Sequence, residues 1–533
     1  MTQLNRREAL KLGGAGVAVA ALAPAAAHAA PTPHFQHGVA SGDPLPQAVV
    51  LWTRVTPTPE SLPGSGTGPA VEVGWQVADD AGFTTVVASG VFTTGPERDH
   101  TVKVDVQGLR PDTGYHYRFS YLDAHSPVGR TATAPAPGAD VASLKFGVVS
   151  CADWEAGFFG AYRHLAARDD LTGVIHLGDY LYEYAAASVV DDKNVRLHLP
   201  AHEIVALADY RRRHAQYKTD PDLQALHARC PWMTVWDDHE SANNAWAEGA
   251  GNHTPGTEGS WAARKAASRQ AYDEWMPIRW GQDGVLQRSL RFGQLAELTL
   301  LDLRSYRSEQ ASGPAVDDPA RTLTGRAQMD WLKQTLAQSP TRWRLLGNSV
   351  MVSPLVLGAV TAKVLRPLTR LLGIPKGGIV LNSDQWDGYA ADREELLGHL
   401  RENGITNTVF LTGDIHTSWA NEVPLEAATY PVKPAVATEF VVPSVASANI
   451  DDMLDVEPRT VSLAAETAIA NTNRHVRWTN LDDHGYCVLE VRREQVRMDW
   501  YFLADRRKPG TSVRKAVSFT SASGSQKLRR AWG

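Results

Sequence analysis

A small all-β sandwich leading into a larger α/β domain is the architecture the sequence predicts, and three observations predict it. The chain has 533 residues, more than a single hydrophobic core serves, because cores stop growing at roughly 250–300 residues. From Phe35 to about Arg130, apolar and polar residues alternate at period two between turn clusters, the pattern of short half-buried strands. Beyond residue 143 the pattern changes to short apolar runs separated by helix-like stretches, the layout of a layered α/β fold. Charged residues make up 21% and hydrophobic residues 43%, which favours neither a disordered chain nor a multi-span membrane protein. A formal net charge of -6 argues against a nucleic-acid-binding surface, whose electrostatic footprint is a basic stripe.

Residues 1–29 read as an export signal. Arg6, Arg7 and Lys11 precede an uncharged stretch of Gly, Ala, Val and Leu from Leu12 to Ala27, and Ala27-His28-Ala29 ends it with small residues suited to cleavage. The paired arginines and the mild hydrophobicity resemble the twin-arginine pathway, although Asn5 and Ala9 stand where Ser and Phe are usual. The twin-arginine translocase is therefore an expected partner, and a secreted, periplasmic or cell-wall location is expected. An ordinary secretory peptide and an uncleaved anchor are the other readings. The stretch is shorter than the roughly 20 apolar residues that span a bilayer.

Residues 30–135 are assigned to the sandwich, with strands at 48–52, 71–77, 102–106 and 115–119. The run from Leu109 to Tyr117 resembles the strand corner of fibronectin type III-like domains. Residues 136–143, rich in Pro, Gly and Ala around them, are the linker. Residues 144–505 are the α/β domain, with strands expected at 144–149, 173–177, 233–236, 298–303, 344–346 and 408–412. The polar, basic tail 506–533 is expected to be a weakly ordered end or a closing helix.

Four of these strands end in candidate metal ligands. Ser150-Cys151-Ala152-Asp153 follows the first, Gly178-Asp179-Tyr180-Leu181-Tyr182 the second, Trp236-Asp237-Asp238-His239-Glu240 with Asn243-Asn244 the third, and Gly413-Asp414-Ile415-His416 the fourth. Singly, an Asp after a strand is more often a helix cap, and a buried Cys more often a small core residue. The set is what points to a shared metal centre: carboxylate, imidazole, phenol and thiol recur at four strand ends, where a sheet fixes position and loops supply reach. Such a centre suits phosphate esters, whose slow hydrolysis calls for charge neutralisation and an activated water. Asp179 is the natural carboxylate to be shared between ions, with Tyr182 three residues on. Only Cys151, Cys230 and Cys487 are present, so at least one thiol stays outside any disulfide. Whether Cys230 and Cys487 pair is open.

The blocks Gly-Asp-Tyr-Leu-Tyr-Glu at 178–183, Trp-Asp-Asp-His-Glu at 236–240 and Gly-Asp-Ile-His at 413–416 resemble the metal-binding motifs of PhoD-type alkaline phosphatases, relatives of the calcineurin-like metallophosphoesterases. Further blocks at 37–44, 51–54, 301–307, 385–389, 438–441 and 484–486 resemble the same family, so the likeness covers nearly the whole chain after the signal. The resemblance implies a four-layer metallophosphoesterase β-sandwich flanked by helices, after the all-β domain. It implies an exported alkaline phosphatase that attacks phosphorus with a metal-bound hydroxide, without a covalent phosphoenzyme, at one ferric ion and one or two calcium ions. Iron would be held by Cys151, Asp179, Tyr182 and His416. Calcium would be held by Asp179, one of Asp237 and Asp238, Asp414, and Asn243 or Asn244. His239 would protonate the leaving oxygen or steady the transition state, and Arg304 and Arg307 can clamp phosphate oxygens. Gly347-Asn348 stands where many metallophosphoesterases have a ligating His, a departure that suits an oxygen-rich calcium site.

Two other readings stand beside this one. A phospholipase D-like phosphodiesterase would use the same site. The stretch 360–372, with apolar residues on one helical face and Lys363, Arg366 and Arg370 largely elsewhere, is either a transient lipid interface or a core helix. An exported binding protein with an inactive α/β part is the second. A monomer is expected.

Overall fold

The computed structural model describes residues 34–188, 194–280, 284–357, 375 and 379–532. The signal segment 1–29 and the basic stretch 360–372 lie outside these residues. Two sheets stack face to face. The larger has ten strands, and its centre is three parallel strands, Ser143–Val149, Gly173–His176 and Trp232–Thr234. The smaller has seven, with Trp343–Asn348, Thr408–Thr412 and Ala437–Val441 parallel at its centre. These runs are short and mostly apolar, as strands covered on both faces tend to be. Phe146 and Val148 from one sheet share a core with Leu298, Leu345, Val409 and Leu411 from the other.

Helices cover the outer faces. Gly160–Ala166 and Pro221–Arg229 lie together on the larger sheet's side. Arg326–Gln338 and Ala390–Glu402 pack on the smaller sheet through Met329, Leu332, Leu336, Leu396 and Leu400 against Leu346 and Phe410. Helix, sheet, sheet, helix is the four-layer order expected from the sequence. The strands expected at the candidate-ligand loops all form.

The amino-terminal region is a sandwich, with one of its two sheets continuing into the main fold. Val71–Ala78, Val86–Thr94 and Gly114–Tyr121 make the separate sheet. Val39–Leu45, Ala48–Arg54 and Thr101–Gln107 extend the ten-stranded sheet, through a parallel pairing of Gly42 with Trp232. A Cβ at Gly42 would stand 2.0 Å from the Pro277 carbonyl oxygen and 2.7 Å from that of Trp232, so only glycine permits this approach. Beside it, the buried Asp43 carboxylate takes a two-pronged bond from Arg288, both contacts 2.8 Å. The corner expected at 109–117 is present, with the Arg110 amide donating to the Tyr115 hydroxyl at 2.9 Å.

The tail differs from expectation. It is neither a loose end nor a helix: Val513–Ala522 and Leu528–Arg530 are the last two strands of the large sheet. Val517, Phe519 and Leu528 are buried. The pairing with Gln495–Leu503 slips by one residue at Ala516, between the Trp500–Val517 and Tyr501–Lys515 partners. A bulge of this kind breaks the period-two pattern, and the basic residues around it masked what remained.

Trp500 ties the two sheets together. Fully buried on the large sheet, it donates from Nε1 to the Val441 carbonyl of the small sheet at 3.1 Å and meets Phe440, Trp478 and Phe519 at ring separations of 5.1 to 6.1 Å. Trp500→Ala is expected to cost about 3–5 kcal/mol, as large-to-small changes of buried aromatics do. Denaturant unfolding followed by tryptophan fluorescence measures this, and a change under 1 kcal/mol would refute the inter-sheet role.

Candidate metal centre

The three central parallel strands of the large sheet and Thr408–Thr412 of the small one point their carboxyl ends at the same place. Their loops deliver Cys151, Asp179, Asp237 with Asp238, and Asp414 with His416. Ligating atoms of Cys151, Asp179 and His416 lie within 4.8 Å of one another, as do those of Asp179, Asp238 and His239, and those of Asp237, Asp238 and Asp414. Asp179 belongs to the first two groups and Asp238 to the last two, so the three form one chain of overlapping sites.

The backbone is bent to achieve this. Cys151, Asp179, Asn244, Asp414 and His416 all have left-handed φ, between 55° and 64°. Side chains other than glycine adopt that region at a cost of about 1–3 kcal/mol each. Gly178 precedes Asp179 with φ 103°, and a Cβ there would meet Asp237 at 2.5 Å, so the Asp179 and Asp237 loops touch only because residue 178 is glycine. Glu240 fastens the same loops from beneath, accepting from the amides of Asp179 at 3.2 Å, Tyr180 at 2.7 Å and Asp237 at 2.8 Å.

Tyr182 turns back as its spacing from Asp179 suggests. Its hydroxyl donates to Asp179 Oδ2 at 3.0 Å, lies 3.1 Å from His416 Nε2 and accepts from Ser447 Oγ at 2.7 Å. His416 donates from Nδ1 to the Ala448 carbonyl, which turns the Nε2 lone pair toward the centre. Burial lowers the pKa of His416 to about 4, so the ring is neutral and able to ligate at neutral pH. His239 carries the opposite charge preference. Burial disfavours its cation, but Glu183, 2.7 Å from Nδ1, together with Asp179 holds the imidazole well above its usual pKa.

These residues fit metal ions. Burial, reinforced by neighbouring carboxylates, pushes Asp179, Asp414 and the Cys151 thiol well above their ordinary values. Asp179 Oδ1 is buried and accepts no hydrogen bond. An orphaned buried carboxylate oxygen among like charges calls for a cation. Asn243 and Asn244 sit beside the centre, with their amides donating to Glu183 at 2.7 Å and Asp238 at 2.5 Å.

The family described as PhoD-like phosphatase matches residues 146–500, and the amino-terminal domain of that family matches residues 20–135. The chain belongs to the PhoD-like phosphatases. It is 36% identical over 512 residues to alkaline phosphatase D of Bacillus subtilis (strain 168), a match covering 93% of this chain and 82% of that protein. The solved structure of PhoD superposes with a TM-score of 0.82 at 34% identity, over 94% of this chain and 92% of that one. This PhoD-like phosphatase is a phosphoric ester hydrolase.

Arg304 and Arg307, the expected phosphate clamps, both pair with carboxylates in the phosphatase. Arg304 is buried and gives Nε to Asp237 at 2.5 Å, Nη1 to Asp384 at 2.9 Å, and Nη2 to Asp237 at 2.9 Å and Asp414 at 3.1 Å. Arg307 bonds Tyr389 at 2.9 Å and Asp384 at 2.9 Å. Arg304 thereby acts on the acidic cluster itself, whereas Nη1 of Arg307 is buried with no hydrogen-bond partner. Asn348 is engaged too, donating to Thr412 Oγ1 at 3.2 Å and accepting from Trp386 at 2.8 Å. All three cysteines are free thiols, so Cys230 and Cys487 do not pair.

Sequence reasoning missed Glu183, Glu240, Asp384 and Ser447. The two glutamates end the 178–183 and 236–240 blocks and could have been found as carboxylates one turn from the ligands. Asp384 directly precedes the 385–389 block, whereas nothing local marks Ser447, whose role arises from a contact across 265 positions. Glu183→Gln is expected to lower kcat by about 10–100-fold, the usual cost of losing a partner that orients a functional histidine. Its metal content should match the unsubstituted protein. Steady-state kinetics beside elemental analysis tests this, and loss of metal in step with kcat would place Glu183 among the ligand supports instead.

Proposed function

We propose that this phosphatase is exported by the twin-arginine pathway and hydrolyses phosphate esters as a monomer at a centre of one ferric ion and one or two calcium ions. The observation that carries the reading is the overlap of three ligand groups through Asp179 and Asp238. Cys151, Asp179, Tyr182 and His416 would hold iron, since thiolate and phenolate suit an acidic trivalent ion. Asp179, an aspartate of the 237–238 pair, Asp414, and Asn243 or Asn244 would hold calcium through oxygen. The bound ions would supply neutralisation of the phosphate and acidification of a water molecule.

The protein's own groups do the rest. His239 donates from Nδ1 to Glu183, so Nε2 is the atom left to protonate the leaving oxygen. Glu183 is fixed in turn by the Asn243 amide and by Asn252 Nδ2 at 2.8 Å. The serine hydroxyls beside the centre are engaged: Ser150 Oγ lies 3.3 Å from Cys151 Sγ, and Ser447 Oγ accepts from the Asp153 amide at 3.1 Å while donating to Tyr182. Neither has a base to activate it as a nucleophile. This supports direct attack by water, with inversion at phosphorus.

Elemental analysis joined to a substrate panel is the primary test. The purified protein should contain iron and calcium and show a phenolate-to-iron absorption band that Tyr182→Phe removes. Chelation or Asp179→Asn should reduce turnover to background. A colourless, metal-free protein with full activity would overturn the reading. Comparing a soluble monoester, a soluble diester and phospholipid vesicles separates phosphomonoesterase from phosphodiesterase and phospholipase D-like action. A chiral phosphate ester hydrolysed with retention would exclude direct attack.

A further inference from the structure

A second group of carboxylates lies behind the loop that holds Tyr182 and His416. The short helix Ile450–Leu454, the loop 481–484 and residues 503–508 border a cavity of about 520 Å³. Several acids here already have cations. Asp452 takes Arg506 at 2.9 Å and Arg507 at 3.0 Å, Asp505 takes Lys508 at 3.0 Å, and Asp483 has Arg514 at 3.5 Å. Asp451 and Asp482 differ. Both line the cavity, they are 7% and 3% exposed, and Oδ1 of each is buried with no hydrogen-bond partner. The other oxygen of Asp482 is held by uncharged donors, the Arg459 amide at 2.6 Å and Ser462 Oγ.

Arg506 acts on Asp451 and Arg459 on Asp482 from a distance, but neither acid forms an ion pair among the described residues. Two buried carboxylates so placed either share an ion or give up their charge. We propose that this cavity binds a calcium ion between Asp451 and Asp482, a structural site that shares no ligand with the catalytic centre. The donors are all oxygen, and the one imidazole on the wall, His484, is already engaged with the Ser447 carbonyl at 2.9 Å, which disfavours zinc. An open cavity with two fixed carboxylates and room for water suits the loose, six-to-eight-oxygen shell of calcium better than the strict octahedron of magnesium. Burial, followed by the charges of Asp452 and Asp482, raises the Asp451 carboxyl to about 6.

The site's position gives it a consequence. Asp451 begins two residues after the stretch in which the Ala448 carbonyl receives His416 Nδ1 and the Ser447 hydroxyl reaches Tyr182. Asn449 Nδ2 also donates to the Asp482 carbonyl. An ion joining Asp451 to Asp482 therefore fastens the loop that aims two ligands of the catalytic centre.

The test compares the holoenzyme with Asp451→Asn. After gel filtration in calcium buffer, the variant should carry one calcium fewer per chain and the same iron. Thermal midpoints should cross. Without added calcium the variant should be at least as stable as the parent, having lost an uncompensated charge, whereas at saturating calcium the parent should be the more stable. Equal calcium content, or a variant at least as stable at every calcium concentration, would overturn the proposal and mean that the carboxyl stays protonated. Should Asp451→Asn fail to fold, hydrogen exchange of residues 450–454 in the unsubstituted holoenzyme decides. Added calcium should slow it, and unchanged exchange overturns the proposal.

Discussion

Gathering Asp179, Asp237, Asp238 and Asp414 below the surface is the constraint to which the rest of this structure answers. Like charges in a poorly solvated pocket repel strongly and lose their hydration. The fold offsets this with donors arranged in tiers. Glu240, itself an acid, lies beneath the cluster and accepts from three backbone amides, which stiffens the loops. Arg304 enters the cluster directly and bonds Asp237, Asp384 and Asp414, and Arg307 steadies Asp384 from behind. Asp179 is left with an oxygen that no protein donor reaches. The arginines thus compensate one end of the cluster and leave the Asp179 end to ions.

The sheet geometry explains why the strain is tolerated. Five residues of the centre sit in left-handed backbone, and each would relax if its neighbours allowed. They cannot, because each follows a strand or turn locked by parallel pairing and cross-loop bonds. The Cys151 amide donates to the Gly178 carbonyl at 3.2 Å and the Ala152 amide to the Asp179 carbonyl at 2.9 Å, so the first two loops hold each other. The Gly413 amide donates to the Ser349 carbonyl at 3.0 Å, which does the same within the smaller sheet. Strain at the ligands is therefore maintained by hydrogen bonds that belong to the scaffold.

The order of layers and the four loops that carry the candidate ligands were legible because they are written locally: apolar runs of strand length, each followed by a turn with a hard or borderline donor. What escaped depends on contacts between distant segments. Val39–Leu45 falls within the segment assigned to the amino-terminal sandwich, and only its pairing with Trp232 shows it extending the main sheet. The tail strands were hidden by a bulge at Ala516 and a basic composition. Arg304 and Arg307 carry the right chemistry for a phosphate, and composition gives no sign that three carboxylates hydrogen-bond to one of them.

The loop 442–449 shows how the two halves of the active centre are kept in register. Tyr182 and Asp179 come from the large sheet, and His416 from the small one. Ser447 bonds Tyr182 while its neighbour Ala448 receives His416, so one short segment measures the separation of ligands from opposite sheets. That segment is pinned at its start, where the Val445 amide donates to the Ser150 carbonyl at 3.0 Å, and at its end by His484 and Asn449. A shift of the sheets against each other would have to break these bonds before it could spread the ligands. The sheet interface around Trp500, which bonds Val441 at the start of this loop, and the loop itself thus resist the same motion, one mainly by packing and the other by hydrogen bonds.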